Sequence, residues 1–126
     1  MPDYPESISL ATEVATRVLG RHPEVTVSWP GSSDFYHGTI VYFEPTAPKA
    51  ARADLYVNFD QSFTLISGRF VCWEDEPTTG THDSRAQQIV ARIEDLAENG
   101  LKRNWADRLI GGRKEHVARW DGQPPR

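Results

Sequence analysis

The residues able to do chemistry in this sequence are few and scattered. Its four histidines, His22, His37, His82 and His116, include no pair four apart on a helix-like stretch. None is accompanied by a second cysteine or by a metal-ligand spacing, so neither a metal nor a cofactor is expected. Cys72, the one cysteine, excludes an intrachain disulfide. It falls in an apolar run that supplies no base, so it reads as a small core residue rather than a nucleophile. Ser67-Gly68 lacks the frame of a nucleophile elbow. Gly111-Gly112-Arg113-Lys114 lacks the spacing of a phosphate-binding loop.

Carboxylates offer more. Glu74, Asp75, Glu76 and Asp83 place four negative charges over residues 74–83 with no Lys or Arg among them. A catalytic carboxylate pair needs one member in an apolar pocket to separate the two pKa values. A stretch carrying Pro77 and Gly80 reads as an exposed loop instead, with no local cation to neutralise it. The expectation is an acidic loop that recognises a basic partner. His82, next to Asp83, is where a fortuitous metal contact would fall, but a solvated loop histidine is the simpler reading.

The 126 residues carry 14 Lys and Arg against 18 Asp and Glu, for a net charge of −4. That charge is unevenly divided. Residues 1–100 hold 7 basic and 15 acidic side chains, and residues 101–126 hold 7 and 3. Lys102, Arg103, Arg108, Arg113, Lys114 and Arg119, interleaved with Trp105 and Trp120, have the composition of a nucleic-acid contact. The sequence pI of about 5.5 opposes it, because the field of the whole chain repels phosphate. Nucleic acid is therefore not the expected partner, and the basic tail is expected against the protein's own acidic surface. No stretch approaches the roughly 20 apolar residues of a membrane helix, and the N-terminus lacks a signal-peptide pattern. No membrane association is expected, and the expected location is the cytoplasm.

The elements that must position these residues follow from periodicity. Ile8, Ala11, Val14, Ala15, Val18 and Leu19 recur at helical spacing and predict a helix over about 5–19 that stops at Gly20. Val25, Val27 and Trp29 alternate as one face of a strand. Residues 39–43 are apolar on both faces, which predicts a central strand covered on both sides. Residues 45–52 read as a long connection.

Three further strands are predicted over about 53–59, 63–67 and 69–74. A three-residue loop at Asp60-Gln61-Ser62 would pair Phe59 with Phe63, and a turn at Ser67-Gly68 would pair Leu65 with Phe70 and Phe63 with Cys72. Their core face then carries Leu55, Val57, Phe59, Phe63, Leu65, Phe70 and Cys72. A second helix is predicted over about 83–99 from Ala86, Ile89, Val90, Ile93, Leu96 and Ala97, capped by Thr81 or Asp83 and ended by Gly100. Residues 101–121 read as a small hairpin or as a helix, a turn and a strand, and residues 122–126 as a frayed tail.

The order predicts a single α+β domain spanning residues 1–126. It is a two-layer sandwich in which an antiparallel meander of about five strands is packed by an N-terminal helix and a helix of the C-terminal half. The second sheet face is then open or covered by the Trp-containing tail. It carries Asp54, Tyr56, Asn58, Thr64, Ile66, Arg69, Val71 and Trp73, an aromatic centre with a polar rim. Asp54, Tyr56, Asn58 and Trp73 are its candidate partner-binding residues.

Size, charge and layout together point to a non-catalytic protein-binding domain. Immunity proteins that block basic bacterial toxins use the same electrostatic complementarity. Two other readings stay open: a small-molecule-binding or enzymatic domain with a pocket between sheet and helices, and a component that associates with itself.

Overall fold

In a computed structural model, which describes residues 4–29, 38–68, 70–105 and 113–126, the chain builds two layers. The elements run α1 (Tyr4–Arg21), β1 (Thr26–Ser28), β2 (Thr39–Glu44), β3 (Ala53–Val57), β4 (Phe63–Ser67), β5 (Phe70–Glu76), α2 (His82–Asn99), β6 (Leu101–Trp105) and β7 (Arg113–Val117). The first five strands form an antiparallel meander in sequence order, and β6 and β7 pair as a separate hairpin. This is the α+β sandwich that the periodicity predicts. His37, Arg69, Arg108, Leu109, Ile110, the 30–33 loop and the Gly111-Gly112 turn lie outside the described residues.

Both helices form where apolar residues recur every three to four positions. Leu10, Ala11, Val14, Ala15 and Val18 of α1 are buried together with Ala86, Ile89, Val90, Ile93, Leu96 and Ala97 of α2. Burial of side chains of this size contributes about 1.5–3 kcal/mol for each large one. The Thr81 hydroxyl caps α2 by accepting the Ser84 amide at 3.1 Å. Ser7, fully buried, hydrogen-bonds the Thr39 hydroxyl at 2.9 Å and fastens α1 to β2.

Val41, Phe43, Ala53, Leu55, Val57, Phe63 and Leu65 complete this core from the sheet. β2 departs from expectation here. Val41 and Phe43 are buried, but Ile40 and Tyr42 on the opposite face are only half-buried, because helices cover one side of the sheet. At the β1 edge, pairing is limited to Thr26–Ser28, and Trp29 is 46% exposed rather than inward.

The β3–β4 loop has the expected length one position earlier. The Asn58 amide donates to the Ser62 carbonyl at 2.8 Å and the Gln61 amide to the Asn58 carbonyl at 2.9 Å, so residues 59–61 form the loop. Gln61 takes the left-handed conformation (φ 67°) that closes such a turn. Val57 therefore faces Phe63 and Leu55 faces Leu65. The shift relative to the expected pairing is two residues, which leaves the side chains of β3 and β4 on their expected faces but moves Phe59 off the core face into the loop, where it is half-buried.

The β4–β5 pairing differs more. Ser67 faces Phe70 and Ile66 faces Val71, but Leu65 faces Trp73, so Cys72 is the extra residue of a β-bulge. A second irregularity sets Phe63 opposite Glu76, with Asp75 at φ 47°. Two corrections follow. Trp73 belongs to the helix-covered face, where it packs against the core, and not to the open face. Cys72 packs against the core as expected, but from the bulge and only half-buried, its thiol 3.8 Å from the Phe70 carbonyl, rather than enclosed between Phe63 and Phe70.

The C-terminal stretch is tied down, not frayed. The Ala118 carbonyl accepts the Ala51 amide at 2.7 Å, and the Trp120 indole donates to the Ala51 carbonyl at 2.5 Å. The Trp120 amide reaches the Ala97 carbonyl at 3.0 Å, and that of Arg126 reaches Asn99 at 3.1 Å. Trp120 thus closes the end of the core beside α2 and does not cover the second sheet face.

Candidate functional site

The sheet face turned away from the helices is built by register. Across the strands, Ser28, Tyr42, Asp54, Ile66 and Val71 form one row, with Ile40, Tyr56 and Thr64 beside them. Tyr56, Thr64, Ile66, Val71, Glu74 and Asp75 line a shallow depression of about 310 Å³. Val71 is 47% exposed and its large neighbours are half-buried. An apolar and aromatic centre therefore lies on the face opposite to the one that α1 and α2 cover.

Charge is arranged around this centre. Arg52 donates to Asp54 at 2.8 Å, lies 3.6 Å from Glu44, and sits 5.0 Å from the centre of the Tyr42 ring. Hydrogen bonding to Asp54 raises the Arg52 pKa further. Asn58 donates to the Ser62 hydroxyl at 2.8 Å and to Asp75 at 3.2 Å. The Thr64 hydroxyl accepts the Asp75 amide at 3.0 Å and holds the bulge that presents Glu74 and Asp75. Glu74 is exposed and has no ion-pair partner among the described residues. In the neighbouring turn, Asp60 accepts both the hydroxyl (2.6 Å) and the amide of Ser62. Those two bonds, the hydroxyl first, depress its pKa.

The four acidic residues picked out from sequence do not come together, and none of them is in a loop. Glu74, Asp75 and Glu76 belong to β5, and Asp83 lies in the first turn of α2. Glu74 and Asp75 line the depression. Glu76 pairs with Arg92 at 3.7 Å on the helix side, where the Arg92 guanidinium also stacks 5.1 Å from the Trp73 ring centre. Asp83 pairs with Arg17, whose pKa its hydrogen bond raises most. Cations distant in sequence thus neutralise half of the cluster. Of the sheet-face set, Asp54, Tyr56 and Asn58 hold their expected face, and Trp73 does not. His82 opens α2 in an exposed position, and no group of three metal-ligating side chains gathers among the described residues.

No family model matches the chain, nor does any curated protein or any solved structure.

A second region has no counterpart in the sequence reading. His22, at the end of α1, bonds both carboxylate oxygens of Glu94 through Nε2, at 3.0 and 3.2 Å. Its ring meets Trp120 edge to face, 4.8 Å between centroids. His22, Glu24, Ala97, Glu98, Trp120 and their neighbours line a cleft of about 290 Å³. A carboxylate-oriented imidazole can act as a base, but the lining offers no hydroxyl or thiol nucleophile. The arrangement joins α1, α2 and the C-terminal segment. Nothing in the spacing of residues 22, 94 and 120 signals it.

Proposed function

We propose that this chain is a non-catalytic protein-binding domain that receives a basic, partly apolar segment of its partner on the open sheet face. One observation carries the reading. Half-buried Ile40, Tyr42, Tyr56 and Ile66, with Val71, form a continuous surface rimmed by Asp54, Glu74 and Asp75 on the face opposite to α1 and α2. An aromatic and apolar centre within a charged rim is the composition of interface hot spots. Blocking a basic enzyme, as an immunity protein does, is the narrower form of this proposal.

The rim acids act on encounter. Long-range attraction to a cationic segment raises the association rate at low salt and fades as salt screens it. A set of amphipathic peptides of equal apolar content carrying Arg, Gln or Glu at the polar positions tests this. The Arg peptide should bind, the Glu peptide should not, and Glu74→Lys with Asp75→Asn should slow association with the Arg peptide and flatten its salt dependence. Equal binding of all three peptides, or unchanged kinetics in the variant, overturns the proposal.

A further inference from the structure

We infer that His22 is a pH-sensitive clasp: as an imidazolium it ties α1, α2 and the C-terminal segment 118–126 together, and its deprotonation loosens that segment while the core stays folded. This device is independent of the open sheet face.

The clasp is built from three elements. His22 Nε2 lies 3.0 and 3.2 Å from the two carboxylate oxygens of Glu94 on α2. An ionised carboxylate only accepts, so Nε2 carries a proton. The other ring nitrogen, Nδ1, faces Glu24 at 3.9 Å. A cationic ring therefore presents an N–H to each of two carboxylates. A neutral ring keeps the bond to Glu94, loses its charge and turns a lone pair toward Glu24. The Glu94 side chain is only 13% exposed, so the attraction is screened less than at an open surface. From the C-terminal segment, Trp120 meets the same ring edge to face.

The segment is fastened lightly. Trp120 is the one residue of 118–126 that belongs to the buried core, and backbone bonds to Lys49, Ala51, Ala97 and Asn99 hold the rest. A stretch with so little buried apolar surface opens locally without global unfolding, so one ion pair weighs heavily in its balance. The other charges near the ring are fixed. Arg21 of α1 lies 3.6 Å from Glu94, and Glu98 of α2 lines the cleft with Arg119, Asp121 and Arg126 of the segment. Arg119 and Asp121 pair with each other, a hydrogen bond that holds the Asp121 pKa down. Carboxylates and guanidinium groups ordinarily keep their charge between about pH 5.5 and pH 8, and imidazole does not. Protonation of His22 thus adds a positive charge where Glu24, Glu94, Glu98 and Asp121 outnumber Arg21, Arg119 and Arg126. The clasp closes as pH falls through the imidazole range and opens as pH rises through it.

Amide hydrogen exchange of the full chain, followed by NMR and corrected for the intrinsic effect of pH, tests the inference. Protection of the Trp120 and Arg126 amides and of the Trp120 indole should fall about fivefold between about pH 5.5 and pH 8, along the titration curve of the His22 ring resonances. Protection of Leu55 and Ile93 in the core should not change over that range. His22→Gln keeps a donor for Glu94 without the charge and should show the low protection at both pH values. Glu94→Gln, which removes the carboxylate and keeps an acceptor, should flatten the pH dependence in the same way.

Wild-type protection at Trp120 and Arg126 that is level across pH overturns the inference. So does a pH dependence that survives in His22→Gln, which then belongs to another histidine. A parallel loss of protection at Leu55 and Ile93 also overturns it, because the whole fold and not the segment then responds to pH.

Discussion

The two faces of the five-stranded sheet come from the same strands, yet they are finished in opposite ways. On one, Phe43, Leu55, Leu65 and their neighbours are fully enclosed by α1 and α2. On the other, Ile40, Tyr42, Tyr56 and Ile66 keep part of their surface in water, and the ordering comes from polar bonds at the rim, Arg52 to Asp54 and Asn58 to Asp75. A covered face spends its apolar residues on stability. A face of similar composition that α1 and α2 do not cover contributes less to folding and suits association.

The largest expected effect separates the faces directly. Leu65→Ala should lower unfolding free energy by about 3–4 kcal/mol, since it opens a cavity in a rigid core. Ile66→Ala, one residue along, should cost about 1 kcal/mol. Denaturant titration of the pair measures the difference, and near-equal losses would mean that the open face is covered in the free protein. Trp73→Ala should behave like a core substitution, with a loss of about 2–3 kcal/mol, and Val71→Ala should lose less than about 0.5 kcal/mol. The opposite ranking would restore the unbulged register.

How far these faces can be read from sequence depends on which forces set them. Both helices are legible, because 3.6-residue spacing and the Thr81 and Gly100 ends are local signals. The faces of β3 and β4 are legible too, because strict alternation survives a two-residue error in the loop. The bulge at Cys72 is not legible. Phe70-Val71-Cys72-Trp73 is a run of consecutive apolar residues, which fits either register, and the choice falls to the packing of Trp73 against the core and Arg92. The run itself, followed by three acids, was the one available hint that alternation breaks there. Neutralisation of Asp83 by Arg17 and of Glu76 by Arg92, and the closure of the core by Trp120, join residues far apart in the chain. No local pattern announces such contacts.

Smaller effects sharpen the account of the rim. Asp60→Ala removes both bonds to Ser62 and should cost about 1 kcal/mol. Because folding depresses the Asp60 pKa, its contribution is present above the unfolded carboxylate range and is lost as pH falls through the lower folded value. Wild type and Asp60→Asn should therefore converge in stability below about pH 4, as thermal melts across pH can check. The smallest effect belongs to Glu74→Gln with Asp75→Asn, which should change stability by less than about 0.5 kcal/mol. A large loss would make the acidic bulge a folding element.

The most direct measurement of the central claim is an amide-resolved NMR map of the chain with and without the Arg amphipathic peptide. The account predicts shifts gathered on Ile40, Tyr42, Tyr56, Ile66, Val71 and Glu74, with α1, α2 and the His22–Trp120 cleft unmoved. Shifts centred on His22, Glu98 and Trp120, with the open face silent, would contradict it.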